Sequence, residues 1–244
     1  PEGVKAPCGV GSSCYIGILD DSTVLKYPLV KGRGWEHVVA EEKMYSILGR
    51  HPRVLTCFGL NEHGLRLEFA PNGTVKRFLE LNAKSLSAKQ KIIWCRQTAE
   101  AITHAHSRSI IHCNISTDNL LLDGNLNVKL SDFQGRVEDP FTGLTIINGS
   151  ALEPVKSYLP RPFGQDNERS DIFALGSTFY EIITGHEPYP ELDSFDDEEE
   201  IRGRYERAEF PGTDAVLGGE IIRKCWVQLY QNAAQCLAEL VALE

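Results

Sequence analysis

The rhythm of apolar and polar positions changes once along the chain. Up to about residue 70 the apolar residues come in runs of strand length. Residues 15–19 and 23–27 flank the turn-forming Asp20-Asp21-Ser22 and predict a β-hairpin. Residues 54–60 and 65–69 predict two further strands. Between the two pairs, Val38, Glu41, Tyr45 and Leu48 recur at helical spacing over 37–48, and His51-Pro52 closes that helix. Asn72-Gly73 then breaks the pattern, and from Thr74 onward helical periods dominate. One long helix is predicted over 87–107, with an apolar stripe through Ile92, Ile93, Ala99 and Ile102. Another, strongly apolar, spans 171–184 and ends at Gly185, with Pro188 beyond it; two more close the chain over 221–229 and 233–243. Short strands at 120–122 and 128–130, around Asp123-Gly124-Asn125, interrupt this half. The pattern predicts an α+β chain: a small β-rich part carrying one helix, then a larger, mainly helical part. No internal repeat or linker divides it, so residues 1–244 read as a single domain.

Composition narrows the possibilities. A chain of 244 residues with 42% hydrophobic content can bury the core of a two-lobed domain. The net charge of −9 argues against nonspecific nucleic-acid binding, which depends on Lys and Arg neutralising phosphates. The seven cysteines are scattered and form no C-x-x-C pair, which predicts free thiols and a cytoplasmic location rather than a zinc site. No run of 18 apolar residues predicts a membrane span, and no signal peptide is seen. A chain that starts at Pro1 reads as an excised domain. The acidic run over 193–200 reads as a solvated loop or helix start.

Against this background a few segments carry chemistry. Gly9-Val10-Gly11-Ser12-Ser13-Cys14 is a loop whose glycines would let the backbone approach a phosphate. Lys26, on the strand after Val24-Leu25, could hold phosphate oxygens as a point charge. Residues 112–119, His-Cys-Asn-Ile-Ser-Thr-Asp-Asn, precede the 120–122 strand, and Asp132-Phe133-Gln134-Gly135 follows the 128–130 strand. An Asn and an Asp at adjacent strand ends can share one Mg²⁺, which takes few protein oxygens and fills its shell with water and phosphate.

In this order, the Gly-rich loop, Val24-x-Lys26, a helix Glu, His112-x-Asn114-x-x-x-x-Asn119, Asp132-Phe133 and Asp171-Ile-Phe-Ala-Leu-Gly176 resemble a eukaryotic protein kinase over roughly residues 9–240. The wording at 48–52 and 112–116 is similar to fungal kinase-type domains. The resemblance implies a two-lobed fold, with a small antiparallel sheet lobe over about 1–69, a hinge at about 68–73 and a large lobe over about 74–244. It implies ATP and Mg²⁺ as ligands and a protein as substrate or regulated partner. Lys26 would hold the α/β-phosphates and pair with Glu41, which shares the apolar face of its helix, whereas Glu42 points about 100° away. Asn119 and Asp132 would bind Mg²⁺. Gly9 and Gly11 would cover the phosphates; Ile16, Val24 and Leu121 would sandwich adenine. The backbone around Glu68 and Ala70 would pair with the base, and His112 and Phe133 would be core residues.

The chain departs from that pattern where chemistry would occur. Asn114 stands where the family has the Asp that orients the acceptor hydroxyl, a function worth about 10²–10⁴-fold in rate. Ser116 replaces a Lys near the transferred phosphate, and Cys113 replaces the Arg that usually receives an activation-loop phosphate. Gln134 replaces a Gly, Cys14 a loop Gly and Val24 an Ala. Arg161 stands where the family has Glu, and the family's Arg partner is replaced by Asn232-Ala233. Residues 136–158 would form the activation loop, with Thr142, Thr145, Ser150, Ser157 and Tyr158 as candidate phosphoacceptors. The sequence supports a domain that binds ATP and Mg²⁺ with phosphotransfer, Ser/Thr by default, impaired by Asn114. It leaves open an active kinase whose Asp is replaced by Asn, and a nucleotide-free interaction module.

Overall fold

The computed structural model describes residues 1–11, 13–30, 32–82, 85–139, 141–149, 151–162 and 164–244. Ser12 of the Gly-rich segment and Ser150 among the candidate acceptors lie outside the described residues.

The N-terminal part is a five-stranded antiparallel sheet, in the order β1-β2-β3-β5-β4, with one helix packed on it. The strands are β1 (Ala6–Val10), β2 (Cys14–Ile18), β3 (Thr23–Pro28), β4 (Cys57–Asn61) and β5 (Gly64–Glu68). The β2–β3 hairpin turns where Asp20 Oδ1 accepts the Ser22 N–H at 2.8 Å, so the side chain fixes the reversal. Its register sets Ile16 opposite Lys26 and Ile18 opposite Val24. Strand β1 is absent from the sequence prediction for a physical reason: all five of its residues are exposed, and no burial alternation marks it. Helix α1 (Trp35–Leu48) starts two residues earlier than predicted and buries Val38, Glu41, Met44, Tyr45 and Leu48 on one side. The predicted 54–60 strand is shorter at its start, because Val54 makes only a bridge to Leu130 of the other lobe.

The larger part contains α2 (Val75–Asn82), α3 (Ala88–His106), β6 (Ile110–Ile111), β7 (Leu120–Leu122), β8 (Val128–Leu130), β9 (Arg136–Glu138), β10 (Thr145–Asn148), α4 (Glu168–Thr184), α5 (Glu198–Glu206), α6 (Gly219–Trp226) and α7 (Ala233–Leu243). Ser87 caps α3 by accepting the Gln90 N–H, and Asn167 with Ser170 forms a capping box that starts α4. Helix α4 is the centre of this lobe, which explains its apolar sequence. Gly176 lets α6 approach it: a Cβ there would sit 2.8 Å from Cys225 Cβ. Trp226 of α6 donates its indole N–H to Ser177 Oγ at 3.0 Å. Helix α6 stops at Trp226 rather than 229, because Gln228 takes a left-handed backbone at φ 59°.

The two parts meet along a short connection and a second seam. Leu122 N–H donates to Gly73 O at 2.9 Å and Asn72 N–H to Leu122 O at 3.2 Å, so the 69–74 segment is zipped onto β7. Behind it, Leu55 N–H donates to Leu130 O at 3.0 Å, and the rings of His51 and His104 stack 4.3 Å apart. The cleft between the two parts is therefore held from behind and open in front. No helix among the described residues is long and apolar enough to cross a membrane.

Candidate active site

Lys26 projects from β3 into the cleft and is almost fully buried, as is Glu41 from α1. The Lys26 Nζ lies 2.6 Å from Glu41 Oε2 and also pairs with Asp132 Oδ1 from the segment after β8. Glu42 faces away and accepts the Ser46 hydroxyl at 2.9 Å. The three charges depend on one another. Burial opposes the Lys26 charge, but the carboxylates of Glu41 and Asp132 outweigh it and raise the ammonium's pKa. Burial raises the Glu41 pKa, against the pull of Lys26. Burial also works to raise Asp132, yet the ammonium beside it keeps its pKa below the usual carboxylate range.

Asp132 is held in place by its neighbours. Phe133 is wedged edge-on between Tyr45 of α1, ring centroids 5.1 Å apart, and His112, 5.0 Å apart. His112 is buried and bonds Ser131 O at 3.0 Å; desolvation lowers its pKa, which favours the neutral ring and a packing role. Asp132 and Cys113 both take left-handed backbones, at φ 62°, which costs strain in non-glycine residues. The buried Asp171 carboxylate holds the second of these by accepting the N–H groups of His112 at 2.8 Å and Cys113 at 2.9 Å. It pairs with His106 at 2.9 Å.

Asn119 donates its amide to Asn114 O at 2.8 Å, which leaves its side-chain oxygen for the cleft. Asn114 donates its backbone N–H to His112 Nδ1 at 3.2 Å. Asp118 is exposed at the rim of the cleft and pairs with Lys76 of α2 at 3.1 Å. The cleft has a volume of about 440 Å³, within the range of small-molecule sites. Ile16, Val24, Leu67 and Leu121 form apolar walls, while Lys26, Asn119 and Asp132 form the polar end. Gly9 lies within β1 and Gly11 at its end, where Gly11 N–H donates to Cys14 O at 2.8 Å; both line the cleft. Glu68 lines it too, but its carboxylate turns aside to Thr56 Oγ1 at 2.7 Å and Lys129. The Ala70 backbone N–H has no backbone partner among the described residues.

Some residues of consequence were not legible as a group in the sequence. Gln134 was visible as a substitution, yet its contact was not: its side-chain amide donates to Asp132 Oδ1 at 2.9 Å. Arg161 is half-buried and pairs with both Glu153 and Asp166. Arg136 joins them, 3.6 Å from Asp166 and 3.3 Å from Glu138. The missing Glu–Arg pair of the family pattern is thus replaced by a local cluster of reversed polarity. Burial pushes Glu153 up to about 7 in spite of Arg161. Among the candidate acceptors, Ser157 is buried, and Tyr158 donates its hydroxyl to Arg161 O at 3.0 Å with guanidinium groups against its ring. Thr142 and Thr145 are exposed. Among the described residues no cluster of three or more His, Cys, Asp or Glu side chains is arranged to hold a metal.

Comparison with known proteins agrees with this architecture. Residues 30–236 match the family model described as protein tyrosine and serine/threonine kinase. The chain is 27% identical over 220 residues to a probable serine/threonine-protein kinase of Dictyostelium discoideum, covering 84% of this chain and 16% of that protein. It is 29% identical over 184 residues to Aurora kinase A-B of Xenopus laevis, covering 72% and 43% respectively. It is 28% identical over 222 residues to the tyrosine-protein kinase Drl of Drosophila melanogaster, covering 83% and 36%. The chain therefore spans less than half the length of each of these relatives. The ordered motifs, the two-lobed α+β fold and the family match lead to one conclusion: the chain belongs to the eukaryotic protein kinase superfamily.

Proposed function

We propose that this domain binds Mg-ATP in the cleft and that its protein phosphotransfer, Ser/Thr by default, is impaired at Asn114. The observation that carries the reading is the convergence of Lys26 on Glu41 and Asp132 at the polar end of an apolar-walled cleft. An ammonium raised above its ordinary pKa stays charged at any physiological pH and suits phosphate oxygens. Among the described residues, Asp132 Oδ2 and Asn119 Oδ1 accept no hydrogen bond, so the site has two oxygens to offer a hard cation. Ile16, Val24 and Leu121 provide a slot for the base, and Ala70 N–H, beside Glu68, a donor for its edge. When bound, Mg-ATP supplies the phosphoryl group. The chain's own task at position 114 is to orient an acceptor hydroxyl and accept its hydrogen bond. A carboxamide does this poorly, since it lacks a basic oxygen and can turn its NH₂ to the hydroxyl.

On this reading residues 1–244 act as one unit hinged at about 68–73, a fungal-type pseudokinase that signals by binding. The partner is a protein rather than a nucleic acid, in keeping with a net charge of −9. All seven thiols are free, which fits a reducing cytoplasm. The test is a thermal melt with ATP and Mg²⁺ or with ATP and EDTA. A rise in Tm with the metal complex alone is expected. No shift at millimolar nucleotide would favour the nucleotide-free interaction module.

A further inference from the structure

We infer that Gln134 is a positioning residue that restricts the cleft to a single divalent cation. The inference rests on the Mg-ATP reading and deepens it. Asp132 has two carboxylate oxygens, and Oδ1 carries both the Lys26 ammonium and the Gln134 side-chain amide, the latter at 2.9 Å. The two contacts differ in permanence. Lys26 has an alternative anion to move to when phosphates enter the cleft. Gln134 bonds no other side chain among the described residues, and its backbone is clamped. Its N–H donates to Asp132 O at 2.9 Å, and its carbonyl accepts the Ala151 N–H at 2.8 Å. Gly149 presses on the same peptide so closely that a Cβ there would sit 2.4 Å from Gln134 O.

His37 of α1 reaches Gly149 O at 3.2 Å and ties this clamp to the helix that carries Glu41. Asn119 is committed in the same way: its amide is bonded to Asn114 O, and one oxygen remains. With the Gln134 amide lodged on Oδ1, Asp132 offers one unencumbered oxygen, Oδ2, and Asn119 offers another. That is enough for one Mg²⁺, which keeps waters and phosphate oxygens for the rest of its octahedron. The protein kinases in which an Asp and an Asn hold two Mg²⁺ have Gly, with no side chain, where this chain has Gln134.

The test counts ions rather than turnover. The full chain, Gln134→Gly and Gln134→Ala are titrated with Mn²⁺ in the presence of a non-hydrolysable ATP analogue, and bound Mn²⁺ is read by electron paramagnetic resonance. Both substitutions leave the backbone bonds of residue 134 in place, and unliganded melts confirm that each variant is folded. One ion per chain is expected for the parent and two for each variant, the second binding at least about tenfold tighter than any second ion in the parent. Equal counts in parent and variants overturn the inference while the nucleotide reading stands. Fewer ions in the variants also overturn it, since Gln134 would then be a ligand itself. If neither parent nor variants bind the analogue, the Mg-ATP reading fails and takes this inference with it.

Discussion

On the nucleotide side of the cleft, Lys26, Glu41, Asp132 and Asn119 form a connected set, each held by a second element of the fold. On the acceptor side, Asn114, Ser116 and Cys113 stand where the family resemblance would place a carboxylate, an ammonium and a guanidinium. Yet the backbone beneath the acceptor side is no looser. Asp171 still holds the N–H groups of residues 112 and 113, and Phe133 is still wedged between Tyr45 and His112. The difference lies in chemistry and not in order. The strained backbone at residues 113 and 132 is kept whatever side chains stand at 113, 114 and 116, because Asp171, Phe133 and His112 are core residues whose loss would cost folding.

The sharpest way to break that contrast is Asn114→Asp. If the acceptor side lacks only its carboxylate, autophosphorylation should rise by about 10²–10⁴-fold over the parent, as followed by phosphate incorporation. No rise would mean that Ser116 or the packed activation segment is limiting as well. The nucleotide side is probed by Lys26→Met, which should abolish the Mg-ATP shift in Tm. It should also destabilise the domain by about 3–5 kcal/mol, because Glu41 is then buried without a countercharge. The double variant Lys26→Met/Glu41→Gln should recover part of that loss in urea unfolding. If the double variant is no more stable than the single, the pair is not the source of the cost.

The contrast also explains what the sequence could and could not tell. Periodicity placed α1 and α7, and the 120–122 and 128–130 strands, because each has a buried side that repeats. Glu41 could be chosen over Glu42 by its register with Val38, Tyr45 and Leu48, and Glu41 is the one that faces Lys26. Strand β1 and the β9–β10 hairpin were invisible: β1 and most of β10 are exposed, and β9 is only three residues long. The substitutions at 113, 114, 116, 134 and 161 were each readable against a pattern, but their consequences were not. That Arg161 finds Glu153 and Asp166, or that Gln134 reaches Asp132, depends on how the activation segment folds back, and local spacing does not encode this.

The smallest effect concerns the electrostatic balance of the acceptor side. Glu181 of α4 lies below the catalytic loop, where burial pushes it up to about 7; the Thr117 hydroxyl works against that shift, and Glu187 and Asp118 add to it while Lys76 opposes them. Glu153 is raised to the same region, first by burial. A carboxyl whose folded pKa lies above its ordinary 4.5 binds its proton more readily in the folded state. Its stabilising contribution is therefore complete below about pH 4.5 and is lost as pH rises through about 7. Each such group contributes a slope of at most about 1.4 kcal/mol per pH unit in that window. Stability measured by urea unfolding should thus fall between pH 5 and pH 7. Glu181→Gln, fixed in the neutral form, should make that fall shallower without removing it, since Glu153 and Glu41 are also raised by burial. An unchanged slope would mean that Glu181 stays ionised, its charge met by Lys76, and that the acceptor side is better balanced than its lost residues suggest.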